Sequence, residues 1–364
     1  MSSRHIPKVI ACDDMTAGKV TYPCPVPTGS MIAQERTRTM TPITEDNRHI
    51  AAAPIPAWLH AGTQDRTPDR HGFWLAQSRR VAWHRPPQRM ATARPDRDAR
   101  WFEDGTLNAS VSCVDRHLAD HGDRLAIFWR GEDAGQVDRV TYRDLHERVC
   151  RLANALRDQG VQRNDRVMIH LPMVVEGIVA MLACARIGAV QVLMSGDFTA
   201  QEMAGHLVDC GAVAVITADE TGHGSRSIPL KARMDEALHI AGPDSHVRLM
   251  LVVSHTGTPV PMTAGRDHKF NDLVDWYEPD CLPEIMHAED PLFILHTAGT
   301  SRGMMHATGR YIVWASYAVD STANGVGTQP GIAQVARHIA LVYGALANGM
   351  TIRIHEGQPA TLAA

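Results

Sequence analysis

Paired cysteines are missing from this chain. Its seven thiols, Cys12, Cys24, Cys113, Cys150, Cys184, Cys210 and Cys281, are scattered and odd in number, and no two form a C-x-x-C pair. That argues against a disulfide framework or a zinc ribbon and suits a reducing compartment. A basic excess is also missing. The formal net charge is -4, so charge alone draws the chain neither to nucleic acid nor to an anionic membrane. The N-terminus lacks a charged-then-apolar signal pattern, and its acids Asp13, Asp14, Glu35 and Glu45 are unlike a transit peptide. The most apolar stretch, Leu171 to Met194, is broken by Glu176 and Arg186, so it reads as a buried helix followed by a strand. These absences describe a soluble, cytoplasmic protein with no nucleic-acid or membrane partner.

What is present divides the chain in three. Residues 1–70 are rich in Pro, Thr, Arg and His and lack sustained periodicity, which predicts a disordered extension. Residues 71–100 hold a short helical stretch around Phe73, Trp74 and Trp83, then a Pro/Arg-rich linker. Residues 101–364 alternate helix and strand patterns. Thr141 precedes a helix whose apolar positions, Tyr142, Leu145, Val149, Leu152, Ala153 and Leu156, recur every three or four residues. Gly160 stops it. Strands are predicted at Val167–Leu171, Val190–Leu193, Ala212–Thr217, Leu249–Val253, Pro291–His296 and Thr351–His355. Pro172 opens a helix that runs to about Ile187. Thr199 and Glu202 form a capping box for another. The alternation implies an α/β fold, with helices layered on largely parallel sheets.

Chemistry concentrates after one strand. Asp290-Pro291-Leu292-Phe293-Ile294-Leu295-His296 runs into Thr297-Ala298-Gly299-Thr300-Ser301-Arg302-Gly303. Such a turn can aim backbone N–H groups and hydroxyls at phosphate oxygens, with a cation to offset their charge. It is also an ordinary strand connection, and these residues alone leave both readings open. His117 and His121 lie four apart, but no third ligand is fixed, so they read as solvated histidines and no metal site is assigned.

From Phe73 to Gly357 the sequence resembles the acetyl-CoA synthetases, and the related propionyl-CoA synthetases, of the adenylate-forming AMP-binding superfamily. The matching phrases are Trp101-Phe102-Glu103-Asp104-Gly105-Thr106-Leu107-Asn108, Asp115-Arg116-His117-Leu118, Ala180 to Val190, Thr217-Ala218-Asp219-Glu220, Arg226-Ser227-Ile228-Pro229-Leu230-Lys231, and Ala288 to Leu295. The resemblance covers about the first half of a family member. It implies a partial large N-terminal domain over 101–364. It also implies a two-step reaction with acetate, ATP, CoA and Mg²⁺. Acetate, or a short-chain acid, attacks the α-phosphorus of ATP to give acyl-AMP and pyrophosphate, and the CoA thiol then displaces AMP. By the same resemblance, Thr297, Gly299, Thr300, Ser301, Arg302 and Gly303 would face the ATP phosphates. Gly196, His223, Arg226, Ala336 and Ala360 would line the CoA site, and Gln334 and Val335 the acyl pocket. No catalytic residue is assigned.

The departures from the family pattern fall on those positions. The family loop reads T-S-G-S-T-G-K-P-K-G, whereas this chain is three residues shorter and lacks the middle Gly-Lys-Pro. Gln334 stands for the pocket tryptophan, Ala336 for a CoA-contacting threonine, and Arg337 for a glycine. His223 stands for an arginine and Ala360 for an asparagine. Gly196-Asp197-Phe198 replaces G-G-F. The sequence ends before the family's adenine-binding strand and mobile domain. Two expectations follow. One is an acetate–CoA ligase scaffold. The other is an inactive, truncated remnant that binds nucleotide or CoA weakly, or self-associates through a sheet edge exposed near Thr351–His355.

Overall fold

In the computed structural model, residues 51–52, 70–92, 100–131, 135–194, 198–223, 226–296, 303–321, 334–356 and 361–362 are described. The predicted extension lies outside them, except that Ala51–Ala52 forms a strand, β1. Residues 43–364 form one compact unit.

The described strands used below are β1, β2 (Leu125–Arg130), β3 (Val137–Thr141), β4 (Arg166–His170), β5 (Val190–Leu193), β6 (Ala212–Ala218), β7 (Leu249–Val253), β8 (Asp267–Lys269), β9 (Pro291–Leu295), β10 (Met304–Ala307), β11 (Ile352–His355) and β12 (Thr361–Leu362). The helices are α1 (Arg70–Gln77), α2 (Tyr142–Asp158), α3 (Val175–Ile187), α4 (Ala200–Cys210), α5 (Leu230–Ala241), α6 (Thr308–Ser321) and α7 (Gln334–Ala347).

An eight-stranded sheet has the order β1-β10-β9-β5-β4-β6-β7-β8. Strands β9 through β8 in that order pair in parallel, while β10 returns antiparallel to β9. The predicted largely parallel α/β fold is therefore present. β4, β5, β6 and β7 are mainly apolar and buried or nearly so along their lengths, as parallel strands covered on both faces are. A second, four-stranded sheet has the order β12-β11-β2-β3.

Local sequence accounts for the helix ends. The Thr141 hydroxyl accepts from Asp144 N–H while the Asp144 carboxylate accepts from Thr141 N–H, and the predicted apolar stripe of α2 is buried. Thr199 and Glu202 make the same reciprocal pair at α4. α3 ends at Gly188, whose φ of +72° is the left-handed region that favours glycine.

Four expectations are corrected. Trp83 lies in a short strand, Trp83–Arg85, not in the helix that holds Phe73 and Trp74. Helix α3 starts at Val175 rather than Pro172, because extended Val174 precedes it and its N–H bonds the Pro172 carbonyl. His117 is not solvated: it is buried with its ring 5.0 Å from that of Tyr142. β11 is no free edge, since β2 and β12 pair with it on both sides, and α3 is buried along nearly its whole length.

Candidate active site

Consecutive crossovers place β5 on one side of β4 and β6 on the other. In open parallel sheets such a reversal leaves a crevice outside the carboxyl ends of the strands, where ligands bind. Here the reversal falls between β4 and β6, where His170, the last residue of β4, stands in register with Thr217 of β6. Both are buried. Among the described residues, neither ring nitrogen of His170 nor the Thr217 hydroxyl has a hydrogen-bond partner. Burial, with a smaller effect from Arg233, brings the His170 pKa down to about 4, so its ring is neutral.

The loops that leave these strand ends are anchored differently. After β6, the buried Asp219 carboxylate accepts backbone N–H groups from the loops that follow both β6 and β7. Its Oδ1 takes Glu220, His255 and Thr256 at 2.7, 3.0 and 3.1 Å, and its Oδ2 takes Gly257 at 2.9 Å. That fixes the rim after β6 to the rim after β7. His255 Nε2 then meets Glu356 Oε1 at 2.5 Å, tying the main sheet to the end of β11. A hairpin of Thr221–His223 and Arg226–Ile228 follows β6, with His223 opposite Arg226 in the antiparallel register. Its exit leads into α5 through Lys231, which is fully buried between Asp235 at 2.6 Å and Asp267 at 3.0 Å. Arg266 closes that network on both carboxylates. A cleft is lined by Phe198, Thr199 and Gln201 at the start of α4 and by Arg233, Glu236 and Ile240 of α5.

At the other end of the row, β9 delivers His296 to the same edge. The residues read as phosphate contacts then divide. Thr297, Gly299, Thr300, Ser301 and Arg302 lie outside the described residues, whereas Gly303 is buried and begins the return into β10. Gly196 and Ala360 also lie outside them. Gln334, Val335 and Ala336 form the first turn of α7, and Ala336 packs on the core. Further along α7, the Tyr343 hydroxyl accepts from Gln191 Nε2 of β5 at 2.7 Å, which fixes α7 across the central strands. Close contact with α6 is possible because residue 344 is glycine: a Cβ there would lie 2.4 Å from the Ala315 carbonyl oxygen.

The structure thus brings the hairpin of His223 and Arg226 and the stems of the 297–302 segment to one edge of one sheet. Three features of that edge were missed from sequence: the unpartnered His170–Thr217 pair, the Asp219 hub, and a buried contact between His206 of α4 and His296. The only sequence signal for His206 was its place on the apolar face of α4, between Met203 and Leu207 on one side and Cys210 on the other.

Comparison with known proteins agrees with this architecture. The model for the AMP-binding enzyme family matches residues 114–364, and that for the acetyl-coenzyme A synthetase N-terminus matches residues 64–113. The acetyl-coenzyme A synthetase of Xylella fastidiosa Temecula1 is 43% identical over 334 residues, covering 88% of this chain and 51% of the relative. That of Shewanella amazonensis is 44% identical over 308 residues, covering 81% and 47%. That of Caulobacter vibrioides is 44% identical over 325 residues, covering 85% and 49%. The chain spans about half the length of the curated relatives it matches. A family match over the parallel sheet and its loops, preceded by the matching N-terminal segment, establishes that this chain belongs to the AMP-binding enzyme family and is similar to the acetyl-coenzyme A synthetases within it.

Proposed function

We propose that this chain is the nucleotide- and CoA-facing part of an acetate–CoA ligase. An acetate oxygen would attack the α-phosphorus of ATP, which arrives as its magnesium complex. The bond to pyrophosphate breaks and acetyl-AMP forms. The CoA thiol, losing its proton, would then attack the acetyl carbon and release AMP. The observation that carries this reading is the convergence on one carboxyl edge. The strand entering the Thr297–Gly303 segment and the hairpin bearing His223 and Arg226 both belong to it.

In this reading Thr297, Gly299, Thr300, Ser301, Arg302 and Gly303 contact the triphosphate, through backbone N–H groups, hydroxyls and one guanidinium. Gly196, His223, Arg226, Ala336 and Ala360 face CoA, with Arg226 the residue that meets its phosphates. Gln334 and Val335 border the acyl group.

A second reading is that the chain binds ATP or CoA without completing adenylation. The shortened loop favours it, because three fewer residues carry fewer N–H groups to wrap the phosphates. Removing one such donor to a developing charge costs about 10²–10³ in rate in other enzymes. Acetate-dependent exchange of labelled pyrophosphate into ATP separates the readings. Exchange above a no-protein blank supports the ligase. Saturable ATP binding without exchange supports the second reading. Absence of exchange and of saturable binding of both ATP and CoA overturns the two together.

A further inference from the structure

The two most exposed large apolar side chains among the described residues lie on one loop. Trp276 is 87% exposed and Leu282 is 79% exposed. The backbone between them is tightly held. Arg151 of α2 donates to the carbonyls of Asp275 and Tyr277, and Asn154 donates to those of Glu278 and Asp280 at 3.0 and 2.8 Å. The Tyr277 hydroxyl donates to the Asp158 carboxylate at 2.7 Å, and Arg186 Nε donates to the Cys281 carbonyl at 2.6 Å. Side chains carried on so fixed a backbone cost a partner little ordering, and a large aromatic presented this way is a typical anchor of a protein interface. Asp275, Glu278 and Asp280 are exposed on the same stretch, and among the described residues none of the three carboxylates is in an ion pair. The loop is therefore apolar and acidic at once.

The opposite charge lies on the four-stranded sheet. Its register sets Arg353 of β11, Phe128 of β2 and Arg139 of β3 side by side in one row. The adjacent row, Ile352, Ile127 and Val140, is fully buried, so the arginine row faces outward. Arg353 and Arg139 are exposed, and the Arg139 guanidinium lies 5.5 Å from the Phe128 ring centroid. Two residues further along, the same face carries Arg130 and Val137, paired with each other and both exposed. Among the described residues none of these three arginines is in an ion pair. Helix α2, to which the loop is strapped, lies on the inward side of this sheet, where its Arg148 meets Asp138 of β3 at 2.8 Å. The loop and the arginine row of one molecule therefore lie on different sides of the sheet.

We propose that the Trp276 loop of one copy docks on the Arg353–Phe128–Arg139 row of a second copy. Carboxylates meet guanidinium groups, while Trp276 and Leu282 cover Phe128 and Val137. A second copy is the partner because this chain carries both halves of the match, in charge and in apolar surface. The contact joins two different surfaces, so it is head-to-tail and repeats from copy to copy. It stands independently of the ligase reading.

The test is sedimentation velocity of the full chain without ligand, at about 100 µM and in about 50 mM and about 500 mM salt. In low salt the mean sedimentation coefficient should rise with protein concentration, and high salt should weaken the association. Trp276→Ser should weaken it about tenfold or more, and so should the double variant Arg139→Glu/Arg353→Glu. All three positions are exposed, and circular dichroism checks that the fold is kept. Arg139→Ser/Arg353→Ser replaces the charge reversal if that variant does not fold. The decisive step mixes the two variants. Each retains one of the two surfaces, so an equal mixture should form a one-to-one dimer and nothing larger. A monomeric unsubstituted chain in low salt overturns the proposal. Association weakened by only one variant, or by neither, places the contact elsewhere and also overturns it, as does a mixture that stays monomeric.

Discussion

Replacing Asp115 with asparagine should cost this protein a large part of its stability. Arg186, near the end of α3, has only 2% of its side chain exposed. Its two terminal nitrogens meet the two Asp115 oxygens at 2.9 and 3.0 Å, and its Nε donates to the Cys281 carbonyl at 2.6 Å. His146 approaches the same carboxylate at 3.7 Å. Burial works to raise the Asp115 pKa, but the nearby His146 and the hydrogen bonds from Arg186 outweigh it and hold the carboxyl well below the usual range. Asp115→Asn leaves the guanidinium buried without its counter-charge, and breaking one side of such a pair typically costs about 3–5 kcal/mol. Net stabilities of domains are only about 5–15 kcal/mol. Urea unfolding followed by tryptophan fluorescence and far-ultraviolet circular dichroism measures the loss. Arg186→Met alone should cost a similar amount. The double variant Asp115→Leu/Arg186→Met should lose much less than the sum, because no buried charge is left over. A loss below about 1 kcal/mol for Asp115→Asn, or strict additivity in the cycle, would refute the reasoning.

Acid should destabilise the fold for a separate reason. His170, His296 and His306 are buried, and burial lowers each pKa to about 4. The unfolded chain binds protons at these positions first, so stability is full above about pH 6.5 and falls as pH drops toward 4, by on the order of 2 kcal/mol per group at pH 5. Thermal melts from pH 7.5 to 5 should shift steadily downward, and a flat profile contradicts this. His146 works the other way: the neighbouring Asp115 carboxylate raises its pKa to about 9, so its contribution is present below pH 6.5 and fades as pH rises through 9. Gly344→Val should force α6 and α7 apart at the 2.4 Å approach to Ala315, costing about 1–3 kcal/mol in a denaturant titration. Arg226→Ala should weaken CoA binding and leave MgATP binding unchanged; equal loss of both ligands would remove Arg226 from the CoA assignment.

Much of the fold was legible because its signals are local. Strands Val190–Leu193 and Leu249–Val253 fall where the sequence pattern places them, and both threonine caps hold. Four of the phrases that carried the family resemblance serve as scaffold. Asn108 donates to the carbonyls of Ala185, Arg186 and Glu284, Asp115 pairs Arg186, and Glu289 accepts from Trp101 N–H at 2.7 Å. Four distant phrases therefore meet in one node, and their survival says more about folding than about ligands. The site was less legible. Its predicted residues came from resemblance, whereas His170, Asp219, His206 and His296 act through neighbours 36 to 90 positions away, which periodicity does not register. The start of α3 was misplaced for a similar reason. Proline tolerates the first helical turn, but here the extended Val174 sets the boundary.

The most direct test of the central claim is a calorimetric titration of the full chain with MgATP at pH 7.5, repeated with excess AMP and with Arg302→Ala. The account predicts saturable, single-site binding that AMP displaces and that Arg302→Ala weakens. Heats that never saturate, or binding that AMP and Arg302→Ala leave untouched, would contradict a nucleotide site at the carboxyl edge of this sheet.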